Sequence, residues 1–318
     1  MFEQIRMPAF GGATEWLNGE PLDRPGPRGR AILVNFWTLT CINWLRQEPY
    51  VRAWSRAYRD DGLVVVGVHT PEFTFEQELD RVRLAVAMLG IDYPVAIDNE
   101  YKIWSAFDNH FWPALYFLDS DGVVRDAHFG EGRYEESERV IQQLLGVEER
   151  EHVATSTLGM GVEAPADWDH LRTPETYLGY ARGEGFASAE RPAPDQPHDY
   201  SLPSYLPFNH WSLDGQWTIG RERLLLDRPG GSIACRFQAR DAHLVLSHEG
   251  AEPIPFRVLV DGMTPDWSHG VDVDEQGVGL LDEGRLYQLW RETDEVRERT
   301  LEITFEKPGA EAYAFTFG

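Results

Sequence analysis

The chain is short of cysteine, lysine and positive charge. Its two cysteines, Cys41 and Cys235, stand far apart in 318 residues. Two do not make a disulfide framework, and no Cys/His cluster has the spacing of a zinc site, so no metal and no cofactor is expected. Lysine occurs only at Lys102 and Lys307. In all, 29 basic residues face 53 acidic ones, a net charge of −24. Such an excess argues against nucleic acid and anionic membrane surfaces as partners. No apolar run approaches the ~20 residues that cross a bilayer, so no membrane span is expected. The start, MFEQIRMPAF, lacks the basic-then-apolar pattern of a signal peptide. The expectation is a soluble cytoplasmic protein of about two domains.

The most informative stretch is AILVNFWTLTCINWLRQEP, residues 31–49. Its apolar run, Ala31 to Trp37, reads as a fully buried strand. A short turn leads to Cys41 and a helix to about residue 59, with Pro49 as a kink. A cysteine between a strand and a helix sits on the positive end of the helix dipole, which favours the thiolate. Before it, residues 1–30 are rich in Gly and Pro, with a short hairpin expected around Trp16 to Pro21. After it come a strand at 63–68 and a helix opened by Thr74-Phe75-Glu76-Gln77, a capping-box spacing, running to about Leu89. Then follow a strand at 93–97, a helix at 100–107 and a strand at 114–118. An Asp121-Gly122 turn leads to a returning strand, and a helix at 134–145 ends the series. This alternation predicts a sheet with helices on both faces.

From Gly146 to Pro207 prolines punctuate a stretch without periodicity, read as a connector, with a short helix expected at Thr173–Arg182. From Asn209 the period becomes two. Ile233, Cys235 and Phe237 alternate with polar neighbours, as do Leu301, Ile303 and Phe305. Short alternating strands with Gly and Asp turns predict a β-sandwich or jelly roll.

The turn resembles the thioredoxin-like active-site loop, with Cys41-Ile42-Asn43-Trp44 in place of Cys-x-x-Cys. FWTLTCINWLRQEPYVRAW, VVVGVHTPEF, FWPALYFLD, ETYLGYAR, FNHWSLDGQWTIG and the tail GAEAYAFTFG together resemble the soluble C-terminal portion of DipZ-type (TlpA-related) redoxins. The resemblance implies an α/β thioredoxin-like domain over 1–148, a connector over 149–207, and an all-β jelly-roll or β-sandwich domain over 208–318 similar to carbohydrate-binding modules. It also implies thiol–disulfide work and a cis peptide bond at Trp112-Pro113.

A dithiol oxidoreductase needs a second thiol to release the mixed disulfide, and Trp44 cannot supply it. Cys41 then exchanges with a protein or small-molecule thiol or disulfide, or is oxidised to a sulfenate, or does non-redox covalent work, or is a structural relic in a silent binding scaffold. A peroxiredoxin-like thiol peroxidase ranks lower: Thr38 has the spacing of that Pro-x-x-x-Thr-x-x-Cys pattern, but Val34 holds the proline position. Thr40, Asn43 and Trp44 flank Cys41 and are candidates to shape a substrate pocket. Trp112 and Pro113 are candidates to bind an extended substrate. His69 and Glu72 are candidates for proton transfer, although a strand-end side chain and a first-turn helix acid explain them as well. His110 is ambiguous for the same reason. Cys235, in phase with Ile233 and Phe237, reads as core. Trp211, Trp217, Trp267, Tyr287 and Trp290 are candidates to stack on a carbohydrate ligand, and equally candidates for a core. Asp272, Asp274 and Glu275 lack a full calcium-loop signature and read as a solvated acidic turn.

Overall fold

The computed structural model describes residues 10–21, 31–147, 153, 161–250 and 252–318. The remainder of the expected lead-in and the first part of the expected connector lie outside the described residues. The chain divides into two compact units, Met1–Gly159 and Met160–Gly318.

Among the described residues the first unit has six strands: β1 (Glu15–Leu17), β2 (Ala31–Trp37), β3 (Leu63–His69), β4 (Val95–Ile97), β5 (Ala114–Asp119) and β6 (Val124–Phe129). They form one sheet in the order β1-β4-β3-β2-β5-β6. Its helices are α1 (Ile42–Ala57), α2 (Leu79–Met88), α3 (Lys102–Ala106) and α4 (Tyr134–Leu145). β2 lies at the centre because it can be apolar on both faces. Leu33 and Trp37 pack with residues of α1, α2 and α4, whereas Ile32, Val34 and Phe36 pack with residues of α3. The period of two along an extended strand sorts them in this way. β2 runs parallel to β3 and antiparallel to β5. α1 continues through Pro49. From α4, the Glu138 carboxylate accepts hydrogen bonds from Trp54 Nε1 at 3.2 Å and from the Tyr58 hydroxyl at 2.6 Å, which ties α4 to α1 and its C-terminal end.

Two expectations here are corrected. The hairpin at Trp16–Pro21 is a single strand, β1, paired antiparallel with the distant β4. The helix from Thr74 to Leu89 is broken: Thr74–Gln77 forms a 3-10 turn, Glu78 is extended, and α2 starts at Leu79. The cap also sits one residue earlier than its spacing suggested. Glu76, not Gln77, turns back to accept the Phe73 N–H at 2.9 Å.

The second unit contains β7 (Thr176–Tyr177), β8 (His198–Tyr200), β9 (Trp211–Ile219), β10 (Leu224–Leu226), β11 (Ser232–Phe237), β12 (Asp241–His248), β13 (Ile254–Val260), β14 (Val278–Leu281), β15 (Arg285–Arg291), β16 (Arg299–Phe305) and β17 (Ala310–Phe317). Hydrogen bonds run in the order β14-β13-β16-β11-β9-β10-β17-β12-β15. The first half of β9 pairs with β11, and its second half with β10 and β8. The change of partner falls at Gly215, where φ is +90° and a Cβ would stand 2.9 Å from Gly231 Cα. Glycine alone takes that backbone without a clash. The two ends of the path meet: the Phe256 ring on β13 is 6.1 Å from that of Tyr287 on β15. The sheet is therefore folded over one shared core, a β-sandwich.

The short helix expected at Thr173–Arg182 is absent. Thr176 and Tyr177 form β7, which pairs with β17. The Leu178 N–H donates to Tyr313 O at 2.9 Å and the Tyr180 N–H to Gly220 O at 3.0 Å. Edge strands thus satisfy the backbone donors that a helix would have satisfied internally. Gly179 fits because any Cβ there would meet the Glu222 backbone at 2.3 Å. Residues 173–207, expected as connector, contribute two strands to the sandwich sheet.

Candidate active site

β2 delivers the chain to a turn, Thr38–Thr40, and Cys41 is the N-cap of α1 with extended backbone (φ −75°, ψ 109°). Its carbonyl accepts the Leu45 N–H at 3.0 Å, the first turn of the helix. No acidic residue lies in that turn, so no side-chain charge there offsets the positive end of the dipole. Cys41 is half-buried and Asn43, in the same turn, is half-buried too. Neither cysteine is in a disulfide.

Trp44 lies one turn further on and is fully buried. Its ring stacks on Trp37, with centroids 4.2 Å apart and planes 17° from parallel. Trp37 in turn meets the edge of His69 at 4.8 Å. The position that holds a second thiol in a Cys-x-x-Cys loop is thus filled by an indole anchored in the core.

The Trp112–Pro113 bond is cis, as expected. Pro113 is buried and opens β5, whose Ala114 pairs with Phe36. Continuing that antiparallel register sets Pro113 opposite Trp37, at the end of β2 from which the Cys41 turn leaves. Trp112 is half-buried. Its Nε1 donates to Thr70 O at 3.0 Å, and the Thr70 N–H donates to Trp37 O at 3.0 Å. Thr70 therefore couples the proline loop to the end of β2. Asp98 holds Thr70 from behind: it accepts the Thr70 hydroxyl at 3.2 Å and the N–H groups of Ile103 and Trp104 at 2.9 and 2.8 Å. Phe111 beside the loop is 51% exposed.

His69 is fully buried and neither ring nitrogen has a hydrogen-bond partner. Burial pushes its pKa down to about 3, which leaves a neutral imidazole at physiological pH. It is therefore no source of protons near neutrality. The folded state binds the His69 proton more weakly than the unfolded chain does. The contribution is thus fully present above about pH 6.5 and is lost as pH falls toward about 3. His69→Leu is expected to weaken the acid limb of a stability–pH curve, a term of about 4 kcal/mol between pH 6.5 and 3. Urea unfolding at a series of pH values measures it, and an acid limb unchanged in the variant would refute it. Glu72 is half-buried, and its N–H is held by Glu76. His110 is exposed and lies 3.3 Å from Asp108.

Glu76 is the functional candidate that sequence reasoning missed. Its side chain is fully buried. One oxygen accepts the Thr40 N–H at 3.2 Å and the Thr40 hydroxyl at 2.7 Å. The other accepts the N–H groups of Glu72 at 2.6 Å and Phe73 at 2.9 Å. Thr40, the residue before Cys41, is thereby fastened to the loop after β3. The capping-box spacing was the only trace of this in the sequence, and it signalled a local role.

Cys235 lies in the sandwich core at 1% exposure, and burial pushes its thiol up to about 12. It stays protonated at physiological pH, as a core residue should. Of the aromatics considered for sugar stacking, Trp211, Trp217, Tyr287 and Trp290 are buried, and Trp267 alone is exposed. Asp272 pairs with Arg285 at 2.7 Å, and Asp274 accepts N–H groups of its own turn, so both carboxylates are engaged structurally. Val34 lies within β2, on the face opposite to Trp37.

A strand–cysteine–helix turn, with a cis-proline opening the neighbouring strand of a mixed sheet, defines the first unit as thioredoxin-like. Residues 173–318 match the family model described as "Thioredoxin like C-terminal domain". Protein DipZ of Mycobacterium bovis and that of Mycobacterium tuberculosis are each 32% identical to the chain over 328 residues, 98% of this chain and 42% of theirs. The thiol-disulfide oxidoreductase YkuV of Bacillus subtilis is 27% identical over 139 residues, 44% of this chain and 93% of its own. A solution structure of a thioredoxin-like protein in the oxidised form is 28% identical, with a TM-score of 0.42, and covers 46% of this chain and 100% of that one. The chain is thus similar to thioredoxin-like proteins, and to DipZ along almost all of its own length. It spans less than half the length of the DipZ proteins it matches.

Proposed function

We propose that the protein carries out thiol–disulfide exchange through a single reactive cysteine, Cys41. The observation that carries this reading is the N-cap geometry: Cys41 is half-buried at the positive end of α1, while Trp44 turns inward and is sealed in the core. A cysteine sealed beneath the tryptophans would instead favour a silent scaffold. The Cys41 thiolate attacks one sulfur of a substrate disulfide, forms a mixed disulfide and expels the other sulfur as thiolate. With no second thiol in the loop, release requires an external thiol. That thiol, as its thiolate, attacks the substrate sulfur, leaves as the new disulfide, and returns Cys41 as thiolate. The loop that ends in the cis Trp112–Pro113 bond, with Trp112 half-buried, is where an extended substrate would lie. YkuV and ResA, relatives whose names describe thiol-disulfide oxidoreductases, support the chemistry. Intact-mass analysis after exposure to glutathione disulfide tests the reading. A single glutathione adduct on Cys41, removed by added thiol, is expected, and a chain that takes no adduct would refute it.

A further inference from the structure

We propose that Glu76 is a positioning residue for Cys41: by accepting both the N–H and the hydroxyl of Thr40 it fixes the turn in which Cys41 caps α1, and its gain or loss of a proton sets how readily Cys41 reacts. The inference deepens the reading of Cys41 as a reactive thiol and rests on it.

The geometry is the argument. A fully buried carboxylate makes four hydrogen bonds, two to the residue adjoining the cysteine and two to the backbone after β3. A cap for one 3-10 turn needs only the Phe73 bond. The two bonds to Thr40 cross 36 residues of sequence and bind a different element. Placing a carboxylate out of water is costly, and four donors are what such a group needs to remain ionised. Burial outweighs the donors here. Burial pushes the Glu76 pKa up, the bonds from Thr40 and Phe73 pull it back, and it lies at about 7.

The surrounding groups fix the sign of the effect. On its own loop Glu72 is a like charge that opposes ionisation. Across from Glu76, on the turn between β2 and α1, stand the buried Thr38 hydroxyl and Thr40, the residue before Cys41. An ionised Glu76 holds its negative charge against Thr40, the residue before Cys41, and on this reading it opposes formation of the Cys41 thiolate while it holds the turn in place. A protonated Glu76 removes that opposition. On this reading the two groups titrate as a coupled pair rather than independently.

The test is the pH dependence of the rate of Cys41 alkylation by iodoacetamide, read by intact mass. It uses the full chain carrying Cys235→Ser, with and without Glu76→Gln. Glutamine keeps the size and an acceptor oxygen but cannot ionise. Glu76→Gln is expected to lower the alkylation midpoint by about one pH unit and to reduce the profile to a single ionisation. Thr40→Val, which removes the hydroxyl bond that holds the Glu76 pKa down, is expected to move the midpoint in the same direction as Glu76→Gln but by less. Profiles that superimpose for parent and Glu76→Gln, with Cys41 reactive in both, would overturn the inference alone. A Cys41 that alkylates in neither would overturn the functional reading and the inference with it. Thermal unfolding of each variant separates a lost turn from a changed charge, since misfolding would not move the midpoint downward and leave the melting curve intact.

Discussion

A Cys41→Ser chain takes up no glutathione from glutathione disulfide and captures no disulfide substrate, whereas its melting temperature stays within a few degrees of the parent. The loss is complete rather than partial because no other thiol can replace Cys41. Cys235 is 1% exposed and its thiol is pushed up to about 12, so almost none of it is thiolate at neutral pH. The structural cost is small because Cys41 is half-buried at a helix start, and serine is among the best residues for an N-cap. The check is intact mass for the adduct and calorimetry for the fold. Residual uptake in the serine variant would show that the chemistry resides elsewhere.

Trp44→Cys is the converse experiment, and it should change the type of reaction. Residues three apart at a helix start are neighbours, so the new thiol lies within reach of Sγ of Cys41. It would attack that sulfur, close a 41–44 disulfide and expel the bound thiol without outside help. The mixed disulfide that accumulates in the parent would then be short-lived. The variant loses stability at the same time. Trp44 is fully buried and stacked on Trp37, and exchanging so large a core side chain for a small one costs about 3–5 kcal/mol. Stopped-time mass spectrometry follows the adduct and urea unfolding follows the cost. An adduct as long-lived in a folded Trp44→Cys chain as in the parent would mean that position 44 does not face the sulfur. An unchanged unfolding curve would mean that the indole stack contributes little.

Much of the fold was legible because burial writes itself into pattern. The apolar run of β2, the alternation in β11 and β16, and the Asp121-Gly122 turn each have one simple structural solution, and these elements appear where the pattern put them. The errors came where non-local contacts decide. Trp16 lies in a three-residue strand that exists because β4 offers it an edge. Thr173–Arg182 failed to become a helix because β17 pairs with Thr176 and Tyr177 and accepts the Leu178 N–H. The turn at Thr74 broke before α2 because Glu76 was drawn to Thr40, 36 residues away in sequence. No local propensity carries that information.

The site divides in the same way. The place of Cys41 at the start of α1, the cis Trp112-Pro113 bond and the core place of Cys235 followed from motif and phase. That Trp44 turns into the core rather than toward a substrate did not. A tryptophan after a turn reads equally as wall or as anchor, and only the partner ring of Trp37 decides. His69 was a proton-transfer candidate by position. Its complete burial, with no hydrogen-bond partner on either nitrogen, makes it a neutral part of the aromatic cluster instead.

The central claim is that Cys41 acts alone. The most direct measurement is the reaction of the folded Cys235→Ser chain with an aromatic disulfide that releases a coloured thiol, with the released thiol counted and the protein weighed. One thiol released per chain, with the other half of the reagent retained on Cys41 until an external thiol is added, is the result predicted. No release from the folded chain, or an adduct lost without added thiol, would contradict it.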